Sequence, residues 1–112
     1  AIEAPLTVTL RLSVVKGRSI KGPEYMTQAS TTSKTDGMGY YATTGDGPEL
    51  ADNVQTAVRR MVDYLMVERG LSQIEAYVLC SAAGDLKVSV PVLGDGHSGL
   101  VTFSMPLSVF VG

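Results

Sequence analysis

The chain is predicted to fold as a single α+β domain, a mainly antiparallel sheet with two adjacent helices packed on one face. Three observations predict it. Apolar residues alternate with polar ones at both ends of the chain, a period-3.6 apolar stripe occupies the middle, and glycine-containing turns separate the segments. At 112 residues, 45% apolar and 18% charged, the chain has enough apolar side chains to build a core. The order read from the segments is β-β-β-α-α-β-β.

The first predicted strand runs from Leu6 to Val14. Leu6, Val8, Leu10, Leu12 and Val14 alternate with Thr7, Thr9, Arg11 and Ser13, the period of a strand with one buried face. Pro5 precedes it, and Lys16-Gly17-Arg18 reads as the turn that ends it. Ile20 to Met26 is a short strand interrupted by Gly22-Pro23, which argues for an edge or a bulge. Gln28 to Gly39, rich in Ser and Thr, reads as an exposed loop, and Tyr40–Thr44 as a strand of β-forming residues.

Gly45-Asp46-Gly47-Pro48 is a helix start, with Asp46 or Gly47 as the cap and Pro48 in the first turn. Leu50, Val54, Ala57, Met61 and Leu65 then recur at helical spacing, widened by Val58 and Val62. Gln55, Arg59, Arg60, Asp63 and Glu68 take the opposite side. That helix of about twenty residues ends at Arg69-Gly70. Ser72 and Glu75 form a capping box for a second helix, which carries Ile74, Tyr77, Val78 and Ser81 to about Ala83 and stops at Gly84. Leu86 to Val92 is a strand with a proline at position 91, and Gly94-Asp95-Gly96-His97-Ser98-Gly99 is a turn. Leu100 to Met105 is the next strand, broken by Pro106, and Leu107 to Val111 is a closing apolar run.

Composition narrows the function. Lys and Arg number 9 against 11 Asp and Glu, a net charge of −2 with no basic block, so the footprint of a nucleic-acid binder is missing. No apolar run is long enough to span a membrane, and no basic segment precedes an apolar leader. The single cysteine, Cys80, cannot form an internal disulfide and fits a reducing, cytoplasmic setting. One His and one Cys cannot make a four-ligand zinc site within this chain, and no phosphate-binding glycine motif is present.

Few residues carry chemistry by their own pattern. His97 beside Asp95 has the form of a metal ligand or general base, and equally that of a solvated turn residue. Cys80 lies late in the second helix, where the dipole opposes a thiolate, so it reads as a small core residue. Asp46, Glu49 and Asp52 cluster at a helix start, where capping and the dipole account for them. Tyr77 and Ser81 share one helix face at i, i+4, and Asp85 follows the helix exit, where the dipole does not favour an acid. Tyr77, Ser81 and Asp85 are therefore the candidate pocket, with no catalytic role assigned to any one of them.

The order of residues from Tyr41 onward carries a resemblance. Tyr41-Ala42-Thr43-Thr44-Gly45, then Ala57-Val58-Arg59-Arg60-Met61-Val62-Asp63-Tyr64-Leu65, resembles the acetamidase/formamidase family. Gly70-Leu71-Ser72, Glu75-Ala76-Tyr77-Val78-Leu79-Cys80-Ser81, Asp85-Leu86-Lys87-Val88-Ser89 and Met105-Pro106-Leu107-Ser108-Val109-Phe110 extend it over most of the chain. The resemblance implies a hydrolase that converts small linear amides to a carboxylate and ammonia. It also implies that this chain is the C-terminal portion of such an enzyme, inactive without an N-terminal portion that holds the reactive groups and any divalent metal. The Gly94–Gly99 turn departs from the family, for which a shorter connection containing Pro or Asn is expected. The implied partners are the N-terminal portion, a small amide and further copies of the chain. A second function class stays open, a non-catalytic interaction or oligomerisation domain, because the first strand and the apolar C-terminus seek partners. A third is a sensor that amides stabilise without turnover.

Overall fold

A computed structural model of the chain describes residues 7–26, 38–90 and 99–110. It is an α+β fold with a four-stranded antiparallel sheet. The strands are β1 (Glu24–Met26), β2 (Tyr40–Gly45), β3 (Asp85–Val90) and β4 (Leu100–Pro106). The helices α1 (Leu50–Arg69) and α2 (Gln73–Ala83) lie between β2 and β3 in the chain. The sheet order is β1-β2-β4-β3, so β1 and β3 are the edges. A 3-10 turn, Leu107–Phe110, closes the described chain and is tied by the Leu107 N–H to the Gly39 carbonyl at 3.0 Å.

The core forms where α1 crosses the two central strands. Tyr41, Thr43 and Gly45 of β2 stand opposite Met105, Phe103 and Val101 of β4, so all six share the face beneath the helix. Ala57, Met61 and Leu65 of α1 are fully buried against that face. The apolar stripe therefore finds the cover its period demands, and this burial is the main source of the fold's stability. Thr43 Oγ1 donates to the Ala57 carbonyl at 2.8 Å, joining sheet to helix by a buried bond. At Gly45 the backbones come closest, and an added Cβ would stand 1.9 Å from the Asn53 carbonyl oxygen, so the position accepts no side chain.

Local signals explain the helix ends, with one correction. Gly70 adopts φ 67°, closing α1 with its N–H on the Leu65 carbonyl. The Ser72–Glu75 capping box is formed from both sides, and Ser72 with its backbone N–H draws the Glu75 carboxyl below its ordinary value. At the start of α1, however, the cap position is Glu49, with no side-chain cap bond. Asp46 and Gly47 do not cap, and Pro48 lies ahead of the first turn. The Asn53 side chain takes over the junction by donating to the Gly47 and Gly99 carbonyls at 3.0 Å each.

A second correction concerns the first predicted strand. Thr7–Val15 is neither strand nor helix, and Val8, Leu10, Leu12, Val14 and Val15 are all exposed, Leu12 by 88%. The alternation is real, but a strand exists only against an edge, and among the described residues nothing pairs with this segment. The turn at Lys16–Gly17 is present, and the Ile20–Met26 segment contributes only its last three residues, as an edge strand. The strand expected at Leu86–Val92 is present as β3, irregular between Val88 and Val90. His97 and the rest of Gly94–Ser98, Pro91 and Val92 of the expected strand, and most of the Gln28–Gly39 loop lie outside the described residues.

Candidate functional site

The structure separates the three candidate residues. Tyr77 is 61% exposed on the outer face of α2, where Ile74 and Val78 are also exposed. Ser81, one turn on, donates to the Tyr77 carbonyl at 3.2 Å, the local bond that a helical serine makes when nothing else claims it. Asp85 is not at a helix end in the electrostatic sense. Gly84 leaves α2 in an extended conformation, Asp85 opens β3, and its exposed carboxylate pairs with Lys87 at 3.2 Å. Tyr77 and Ser81 thus share a face, while Asp85 engages the sheet.

Tyr77 has a further neighbourhood. It stands at one end of an open groove of about 640 Å³ that runs along α1 past Val62, Arg59, Arg60 and Asp63 to Lys21. Arg60 is the fixed point of this groove. Its guanidinium donates to the Thr44 carbonyl at 2.6 Å and the Lys21 carbonyl at 3.2 Å. Lys21 in turn bonds Asp63 at 2.6 Å. Residues Arg18–Lys21 are therefore strapped across α1 by charged contacts.

On the other side of that strap lies a cluster that pattern reading missed. Tyr41 and Tyr64 stack with ring centroids 3.6 Å apart, and the Arg18 guanidinium lies over both rings. The Tyr41 hydroxyl donates to the Glu24 carboxylate and accepts from Arg18, while Arg18 also bonds Glu24 at 2.9 Å. Burial first, then the Glu24 carboxylate, push the Tyr41 hydroxyl above its ordinary range, so it stays protonated and is no base at neutral pH. A cleft of about 340 Å³ opens beside the cluster between Arg18, Glu24, Tyr64, Met66 and Glu68. The members are 17 and 23 residues apart in the chain, a separation that no local periodicity reveals.

Burial pushes the Cys80 thiol up to about 11, which leaves it a protonated core group rather than a nucleophile. Among the described residues no three His, Cys, Asp or Glu side chains are placed to hold a metal ion. No helix of the described chain is long and apolar enough to cross a membrane. Of the three candidate residues only Tyr77 lines the charged groove along α1. Comparison of the chain with family models, with curated proteins and with solved structures returned no match.

Proposed function

We propose that this chain is the C-terminal part of an acetamidase/formamidase-like amidohydrolase, lending one wall to a cleft for small linear amides. The reading takes its family from the residue pattern beginning at Tyr41. The observation that supports it is the uncovered outer flank of α2. Ile74, Tyr77 and Val78 are exposed there side by side, in a helix whose inner face is fully engaged through Ala76 and Cys80. A flank of large apolar residues beside a hydroxyl pair suits a second wall better than bulk water. Amide hydrolysis needs an activated water or nucleophile and donors for the developing oxyanion. In this reading the N-terminal portion of the enzyme supplies those groups and any divalent metal, and Tyr77 and Ser81 position the amide by hydrogen bonding. Asp85, paired with Lys87 on β3, is not assigned a part in this wall.

The test is ammonia release from formamide and acetamide, measured for this chain alone and joined to the sequence upstream of it in its reading frame. The expected result is turnover by the longer form only, with Tyr77→Phe and Ser81→Ala raising KM more than they lower kcat. Turnover by the chain alone, or no turnover by either form, overturns the reading.

A further inference from the structure

Thr7–Val15 carries the pattern of a strand and lacks only an edge, and the sheet has such an edge at β3. Among the described residues β3 pairs with β4 alone, so its outer backbone groups face no strand. Its apolar row is also incompletely covered, with Leu86 38% and Val88 44% exposed on the helix side of the sheet. We propose that Thr7–Arg11 of one copy of the chain adds to β3 of a second copy as a fifth strand.

Register argues for this pairing. Antiparallel addition is the more stable arrangement. With Arg11 set opposite Asp85, it places Leu10 opposite Leu86, Thr9 opposite Lys87 and Val8 opposite Val88. The apolar row of the segment then continues the apolar row of β3, and the one charge in Thr7–Val15 meets the one acid of β3. A slip by one residue turns every apolar side chain to the polar face. A slip by two that keeps the faces sets Arg11 against Lys87, a like-charge pair, in one direction and past the start of β3 in the other. The segment and its receiving edge also sit at opposite sides of one molecule. Ser13 and Val15 border a cleft with Glu24, Met26 and Tyr41 at the β1 edge, and β3 lies three strands away, roughly 14 Å across the sheet. Arg18 and Lys21 hold the intervening chain to Glu24 and Asp63 on the β1 side. Donor and acceptor edges on opposite sides suit exchange between copies. The inference does not depend on the amidase reading.

The experiment uses the 112-residue chain. An Arg11→Cys chain carrying a mass tag is mixed with an untagged Asp85→Cys chain and oxidised, and a tagged Leu10→Cys chain with the same Asp85→Cys partner serves as the opposite-face control. The Arg11/Asp85 mixture is expected to give the tagged–untagged disulfide at least tenfold more abundantly than the control. Light scattering of the unmodified chain is expected to show association at micromolar concentration, weakened at least tenfold by Leu10→Lys. Three results each overturn the proposal. They are a monomer at all concentrations, equal cross-linking in mixture and control, and a disulfide that forms only within one chain of the Arg11→Cys/Asp85→Cys double variant.

Discussion

Helix α1 and the segment Thr7–Val15 carry equally regular apolar patterns and meet opposite fates. In α1 the stripe is buried on the sheet from Ala57 to Leu65, with Ala57, Met61 and Leu65 wholly removed from water, while Leu50 at its start is exposed. In Thr7–Val15 every alternate apolar side chain stays exposed. The difference lies in what each element needs from its surroundings. A helix satisfies its own backbone and needs only a surface to lie on, and β2 and β4 supply it. A strand must also find backbone partners, and its own sequence does not say where they are. Period therefore identifies an element that is able to form, and topology decides whether it does.

That comparison is broken most directly by cutting into each region in turn. Leu65→Ala removes a fully buried side chain, and the expected loss is about 3 kcal/mol in a urea denaturation series. A loss below 1 kcal/mol would mean that α1 is not the stabilising element. Gly45→Ala is the next test, because its Cβ would meet the Asn53 backbone oxygen at 1.9 Å and neither backbone can yield cheaply. The expected cost is about 2 kcal/mol, read from the same midpoint.

The alkaline limb sharpens the picture of the core. The Cys80 thiol is raised to about 11 by burial, above the ordinary value of 9.0. A raised acid contributes its stability in full below the unfolded value and loses it as pH climbs toward the folded one. Between pH 8 and pH 10 the protein is expected to lose roughly 1 kcal/mol from this source. Cys80→Ala should flatten that slope, and an unchanged slope would place the thiol in water. Tyr41, raised in the same direction, extends the loss above its ordinary value of 10.0. At the capping box Ser72→Ala is expected to cost about 1 kcal/mol, seen as a lower thermal midpoint. The smallest effect belongs to the uncovered segment, where Leu12→Ser should change the stability of the dilute chain by less than about 0.5 kcal/mol.

Legibility in the sequence followed the range of the interaction. α2, its capping box and the Gly70 stop were all readable, because each is made by residues within one or two turns of each other. The α1 start misled because Asp46 has the right chemistry in the wrong place. The true junction is held by Asn53, whose partners include Gly99, 46 residues away. The stacking of Tyr41 on Tyr64, with Arg18 and Glu24 around them, was hidden for the same reason. Tyr64 was passed over on a helix read only for its aliphatic stripe. Of the candidate pocket, helical spacing correctly placed Tyr77 and Ser81 on one face. The position of Asp85 depended on whether Gly84 would carry the chain onward or away, and it led directly into β3.

The central claim is that the fold is held by α1 on β2 and β4, while Thr7–Val15 contributes nothing until an edge meets it. Amide hydrogen exchange resolved by residue, at dilute and at concentrated protein, tests it most directly. The account predicts slow exchange over Ala57–Leu65 at both concentrations. It predicts unprotected exchange over Thr7–Val15 when dilute, and protection over Thr7–Arg11 and along β3 when concentrated. Thr7–Val15 protected as strongly as α1 in dilute solution would contradict it.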